Sequence, residues 1–395
     1  MLRHYYDAIV FAYGASQPKK LGIPGEDAGG VYSAGDFVNW YNGLPTHRHL
    51  CFNLDGPSHI TTGNGKRAII IGHGNVALDV ARVLLTPLDL LAKTDMPQYA
   101  YQQLANSNVK HVTIIGRRGP VQAAFTIKEL REVMRIPGVA FRAEDRIPTF
   151  DLLPRPQFRM MNLLREHKTL EGAEKSITLK FCLKPRRFVT DKNNLVGGME
   201  FIRQWLENPS DPKSKVRDLA EEDVPTMMTA DLVFTSIGYS SVPLRGMEAL
   251  GVHLIRGVLP NDAGRVKAIS TKDLGLEKSE DTRMEHVDGV YAAGWVKTGP
   301  TGVIVSTMLS AFETGDSLVQ DWNDGKPFLQ PGAEEKGWDG FKREVEKVGG
   351  QPVEWNEWKK IEDEEVKRGQ TLGKEREKIV DTRQMLALAT GHASQ

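Results

Sequence analysis

The sequence predicts an α/β protein whose sheets are mainly parallel. Three observations carry this. Short apolar runs alternate with stretches of helical periodicity. A glycine turn of the form G-x-G-x-x-A, Gly72 to Ala77, sits between one such run and one such helix. The next apolar run ends in the basic tip Arg117-Arg118.

The elements follow in order. Residues 6–13 (YDAIVFAY) read as a buried strand closed by Gly14, and Pro24-Gly25-Glu26-Asp27 as a turn. Residues 33–42 are amphipathic and helical. The polar stretch 46–66 reads as a linker or an exposed connection. Residues 67–71 (RAIII) are a second strand, followed by a helix over 75–85 that Thr86-Pro87 ends. Residues 88–108 read as an inserted pair of short helices. A strand over 110–115 and a helix over 125–135 come next. Beyond 145 the pattern weakens, with strands expected at 177–183, 195–204, 232–236 and 289–293. A Gly-Pro turn then leads into a helix over 302–322, and the charged tail from 333 is helical in parts.

Composition narrows the function classes. The 395 residues allow two domains. Lys and Arg total 51, and Asp and Glu also total 51, so no global charge draws the chain to nucleic acid. No apolar run reaches the roughly 18 residues a spanning helix needs. The two cysteines, Cys51 and Cys182, supply no CxxC pair, which argues against a dithiol reductase. The ten histidines show no ligand spacing, so no metal is expected. No nucleophile–base signature appears either.

The glycine turn has a physical reading. Gly72 permits a tight turn, and Gly74 lets backbone N–H groups approach a pyrophosphate at the helix N-terminus. Ala77 keeps helix and strand close. Asn75 is placed to cap the helix or to touch phosphate. A glycine turn in a ligand-free α/β protein would look the same until the next strand is read. There a dinucleotide site usually places an acid to bond a ribose 2′-hydroxyl. Here Ile115-Gly116-Arg117-Arg118 carries two guanidinium forks and no acid, which suits a 2′-phosphate and hence NADP.

The stretches GHGNVALDVARVLLTP, GRRGPVQAAFTIKELRE and GWVKTGPTGVIVSTM resemble the NADPH:adrenodoxin reductase family, the ferredoxin–NADP reductases of steroidogenic type. So do IPGEDAGGVYSAGDFVNWYNGLP and EVKRGQTLGKEREKIVD, and the resemblance runs from about residue 5 to the end. It implies two Rossmann-like domains, with an FAD domain over 1–47 and 238–395 and an NADP domain over 48–237. It implies an enzyme that passes a hydride from NADPH to FAD and then single electrons to a [2Fe–2S] ferredoxin, with no side chain acting as a catalytic acid or base. NADP contacts would be His73, Gly74, Asn75, Val76, Arg117, Arg118 and Glu129. FAD contacts would be Trp295, Gly302, Val303 and Ile304. The family usually carries Gln where this chain has His73. The family's first strand also carries a glycine fingerprint for FAD, which this chain does not contain. An FAD domain incomplete at its N-terminus, and an alternative reading as a non-catalytic NADP-binding fragment that does not retain FAD, follow as expectations.

The resemblance implies a partner surface as well. Lys128, Arg131 and Arg135 share one helical face, and Arg155, Arg159 and Arg165 form a second basic group. The family's arginines matching Arg131, Arg155 and Arg159 receive an acidic ferredoxin, though solvated basic faces are the commoner meaning of such runs. Gln157 stands where a basic residue is frequent. A monomer in the mitochondrial matrix, at most peripheral to the inner membrane, is implied, although no transit peptide is visible. The flavin-containing half of an amidotransferase or pyrimidine reductase is the remaining competitor. FTIKELRE and WYNGLP argue against it.

Overall fold

A computed structural model describes residues 1–55, 66–143, 153–218, 225–269, 284–302 and 304–391. The chain divides into two compact units. One comprises Met1–Lys19 and Gly238–Val353, the other Lys20–Ile237 and Glu354–Gln395.

The larger unit is built on a six-stranded parallel sheet. Its spatial order is Val31–Ser33, Leu232–Thr235, Lys66–Ile71, Val109–Ile115, Lys175–Lys180 and Val139–Ala143. Each pairing is parallel. The Lys66–Ile71 strand is almost wholly buried and apolar from Ala68 onward, as expected where helices cover both faces of a sheet. The Asn75–Leu85 helix buries Ala77, Leu78, Val80, Ala81, Val83, Leu84 and Leu85, a stripe at helical spacing. From Ile71 the chain crosses to Val109–Ile115 on one side, while Leu232–Thr235 pairs on the other. This reversal opens a crevice at the carboxyl ends of the strands, the usual ligand position in such sheets.

The inserted segment forms two short helices, Leu88–Leu91 and Gln98–Ala105. A second, antiparallel sheet of Leu183–Thr190, Val196–Leu206, Val216–Asp218 and Thr226–Thr229 packs its apolar side against the parallel one through Leu183, Phe188, Met199 and Phe201.

Two expectations about this unit are corrected. Of the stretch expected to be a linker or exposed connection, residues 56–65 lie outside the described residues, and the part before them is not simply exposed, because Phe52 and Leu54 are fully buried in the main core. Residues 20–47 and 354–391 lie here rather than with the remainder of 1–47 and 238–395. The reasons are pairing and packing. Val31–Ser33 is a strand of the parallel sheet, and Phe37 and Trp40 of the Ala34–Tyr41 helix join Phe52 and Phe234 in an aromatic cluster. At the other end, Glu377 Oε1 accepts from Gln98 N at 2.9 Å and Lys378 pairs with Asp95 at 2.8 Å.

The smaller unit holds a four-stranded sheet ordered Ile9–Phe11, Met284–Ala292, Arg265–Ile269 and Asn261–Asp262. Only the first pair is parallel. The strand expected to be buried at 6–13 is an edge strand with Val10 exposed, because among the described residues it pairs on one side alone. The Ile304–Asn323 helix is anchored to this sheet by polar groups. Arg265 forks onto Asp321 at 2.7 and 2.9 Å, and Tyr291 donates to the same carboxylate at 3.0 Å. Arg265, with help from Lys326 and Tyr291, holds the Asp321 carboxyl well below the usual range.

Gly72 is the most constrained residue of the crevice. Its φ is +128°, and an added Cβ would lie 2.1 Å from the Ser236 carbonyl oxygen at the exit of the neighbouring strand. Gly72→Ala is expected to destabilise the larger unit by about 3 kcal/mol, since both the backbone angle and a main-chain atom oppose the methyl. Urea unfolding followed by the fluorescence of that unit's tryptophans measures it, and a loss below about 1 kcal/mol would contradict this geometry.

Candidate functional site

The turn after Lys66–Ile71 and the turn after Val109–Ile115 leave the sheet side by side, since Ile71 and Ile115 are in register. Gly72 N donates to Ile115 O at 2.7 Å. Gly74 is the helix N-cap and has no side chain to cap the helix, so its first N–H groups keep no side-chain partner among the described residues. A Cβ on Gly74 would meet nothing within 4 Å. The turn is thus open on its outer side, with uncapped donors and the positive end of the helix dipole at its base. That arrangement fits an anionic diphosphate.

Asn75 does not cap its own helix. Its Oδ1 accepts from Thr126 N at 2.8 Å, and Thr126 in turn caps the Ile127–Met134 helix by accepting from Glu129 N. Asn75 therefore stitches the glycine turn to the element that carries Glu129. Ala124 N also donates to His73 O at 2.9 Å, so the 116–126 loop wraps around the 73–75 turn. Val76 and Glu129 are half-buried beside it.

His73 is the departure from the family's Gln, and its ring turns inward. It packs edge-on to Phe181 and Phe125 at centroid distances of 4.7 and 5.9 Å, over Gly116, whose missing Cβ leaves the space. Burial pushes its pKa from 6.5 down to about 4, against weak support from the Ile114 carbonyl. The folded state holds the ring neutral, and the unfolded chain protonates it first. Stability from this group is therefore complete above pH 6.5 and is lost as pH falls toward 4, by roughly 3 kcal/mol. His73→Gln is expected to flatten acid unfolding over that window. An unchanged pH profile would remove the argument.

Arg117 and Arg118 are exposed, and neither has an ion-pair partner among the described residues. The backbone beneath them is pinned. Gly116 N donates to Lys180 O at 3.1 Å, Leu183 N to Gly116 O at 3.0 Å, and Cys182 N to Arg118 O at 3.2 Å. Two free guanidinium groups on a braced loop, beside an open diphosphate turn, fit a dinucleotide carrying a further phosphate.

In the smaller unit, Gly294 has φ +68° and precedes the short Trp295–Thr298 helix, where Trp295 is 36% exposed. Lys297 is buried, and its Nζ donates to Ser310 O and Thr314 Oγ1 while pairing with Glu313, which fixes this turn to the Ile304–Asn323 helix. Gly302 has φ +86°, and a Cβ there would strike Ser306 Oγ. Ile304 opens the helix and is largely exposed. Val303 lies outside the described residues. An open glycine turn beside a half-exposed indole fits a planar ring system with a polar edge, and Lys297 is the anchor that the sequence reading passed over.

The basic faces meet in one place. The Ile127–Met134 helix and the Arg155–Glu166 helix enclose a groove of about 350 Å³ lined by Ile127, Lys128, Arg131, Glu132, Arg135 and Arg159. Arg155 is exposed one turn before Arg159 on the same helical face. Gln157 is turned in, with a buried Oε1 that no group satisfies among the described residues.

An α/β chain with a phosphate-ready glycine turn, a free arginine pair and a second glycine turn beside an indole is a dinucleotide-dependent oxidoreductase of the two-domain class. No protein-family model matches the chain. It is 38% identical to the mitochondrial NADPH:adrenodoxin oxidoreductase of Salvelinus fontinalis, covering 98% of this chain and 74% of that protein. The human protein of the same name is 37% identical over 99% and 75%. The solved structure of Mycobacterium tuberculosis FprA in complex with NADPH superposes with a TM-score of 0.78 at 30% identity, covering 99% of this chain and 80% of that one. The chain belongs to the NADPH:adrenodoxin oxidoreductase family.

Proposed function

We propose that this chain passes electrons from NADPH, through FAD, to a [2Fe–2S] ferredoxin of the adrenodoxin kind. The observation that carries the reading is the exposed Arg117-Arg118, unpaired among the described residues, at the crevice edge beside the open Gly74 turn. His73, Gly74, Asn75 and Val76 form the diphosphate turn. Asn75 and Thr126 set the helix that presents Glu129. Trp295, Gly302, Val303 and Ile304 hold FAD, which when bound supplies the change from two-electron to one-electron chemistry. Arg131, Arg155 and Arg159 receive the acidic face of the ferredoxin. The chain works as a monomer on the matrix side of the mitochondrial inner membrane, at most peripheral to it. Its electrons serve a cytochrome P450 or the assembly of iron–sulfur clusters and haem. No described helix is long and apolar enough to cross a membrane.

A second reading, in which the chain binds NADP but does not retain FAD, is favoured by one observation. The Ile304–Asn323 helix buries Thr314, Ser317 and Asp321 while Ile304, Leu309 and Phe312 are 87%, 61% and 61% exposed. Apolar surface of that kind is ordinarily covered. Purified protein tests both. Flavin absorbance together with NADPH-driven reduction of an adrenodoxin-type ferredoxin supports the first reading. Flavin present without ferredoxin reduction overturns it, and NADP+ binding with no flavin selects the second.

A further inference from the structure

The loop that carries Arg117 and Arg118 has one more support, and it comes from a side chain with no assigned role. Gln122 closes the Pro120–Gln122 turn of that loop and is only 6% exposed. Its Nε2 donates to Pro209 O at 3.0 Å and to Asp211 O at 2.7 Å. Its Oε1 is buried without a hydrogen-bond partner among the described residues. A buried amide with an unsatisfied oxygen costs stability, so its two donors must supply something that an apolar side chain of equal length would not.

What they supply is a rigid anchor. The segment they grip is ordered by its own hydrogen bonds. Asn208 N donates to Ser214 Oγ at 2.9 Å, Lys213 N to Asp211 Oδ1 at 2.8 Å, and Ser214 N to Asp211 O at 3.0 Å. This turn joins Val196–Leu206 to Val216–Asp218 in the antiparallel sheet. The arginine loop is therefore clamped from two sides. The Lys180–Leu183 chain holds Gly116 and Arg118, and the 208–214 turn holds Gln122. Gly119 lies between the two clamps. A Cβ there would come within 2.8 Å of Leu206 Cδ1 and 2.9 Å of Gln122 Oε1.

We infer that Gln122 is a positioning residue for the 2′-phosphate clamp: by tying the Arg117-Arg118 loop to the antiparallel sheet it sets the preference for NADP over NAD. This rests on the reading of that arginine pair as the phosphate clamp. Holding two guanidinium groups in place before the ligand arrives saves the ordering cost at binding, and the saving applies to the 2′-phosphate alone.

The test is calorimetric binding of NADP+ and of NAD+ to the full chain. Gln122→Met keeps the length and removes the donors. It is expected to raise the NADP+ Kd about tenfold while the NAD+ Kd stays within about twofold. Gly119→Ala, which pushes on the same brace from the other side, is expected to show the same one-sided loss. A merely structural role would weaken both ligands together. Equal weakening, or an unchanged preference in both folded variants, overturns the inference while leaving the clamp in place. A wild-type protein that binds NAD+ as tightly as NADP+ overturns the clamp and this inference with it.

Discussion

Replacing Arg117 and Arg118 together by Ala is expected to weaken NADP+ binding by on the order of 100-fold or more, and to change NAD+ binding by less than about threefold. Each guanidinium that meets a phosphate makes charge-assisted hydrogen bonds worth about 1.5–3 kcal/mol, and roughly 1.4 kcal/mol is one decade in Kd. The fold itself loses little. Both side chains are exposed and neither is paired among the described residues, so unfolding should shift by no more than about 0.5 kcal/mol. Calorimetric titration of the two dinucleotides, with a denaturation curve beside it, measures both quantities. If the double variant still prefers NADP+, the second phosphate is held elsewhere. A single Arg→Lys change is informative too, since an ammonium keeps the charge and loses the fork. It should recover only part of the affinity.

Arg131→Glu combined with Arg159→Glu is expected to slow electron transfer to an acidic ferredoxin by about 30-fold at low ionic strength, with the loss shrinking as salt screens the field. The two arginines come from different helices, yet they line one groove with Lys128 and Arg135. None of the four has an acidic partner among the described residues, so the charge is available to a visitor. Glu132 is the one acid lining the same groove, so two reversals take its cationic majority away. Reduction of a small uncharged acceptor by NADPH should be unaffected, because these residues do not touch the glycine turn. A variant impaired equally with both acceptors would place the damage in the NADPH half and remove the docking argument. The unsubstituted protein should itself slow with ferredoxin as salt rises, and a salt-insensitive rate would count against it.

The local features of the dinucleotide unit were legible because each rests on residues close in sequence. The Asn75–Leu85 helix announces itself through glycines before it, an apolar stripe along it and Thr86-Pro87 after it. The strands Lys66–Ile71 and Val109–Ile115 each end in a short apolar run, Ala68–Ile71 and Ile114-Ile115, just before a glycine. Two elements escaped. The Val139–Ala143 strand is short, and the Arg155–Glu166 helix, although amphipathic, opens on Pro154 and Pro156, which read locally as loop residues. Residues 20–47 and the tail from 354 were assigned with the wrong neighbours for a related reason. Strand pairing between Val31–Ser33 and Leu232–Thr235, and the tie from Glu377 to Gln98, span some 200 and 280 positions and follow no local rule.

By itself, then, the sequence determined the chemistry on offer: a phosphate-seeking glycine turn, two arginines where an acid would signal NAD, and no dithiol to divert the electrons. Tertiary structure decided how those groups are held. It turned His73 inward over Gly116, so that this residue reports on acid stability while its backbone shapes the turn. It used Asn75 as a stitch to Thr126 rather than as a cap. It brought Arg131 and Arg159 to one groove and set Gln122 beneath the arginine loop. The division has a physical cause. Side-chain charge and backbone freedom belong to a residue wherever it sits, whereas burial and hydrogen-bond partners are supplied by segments that only folding makes neighbours.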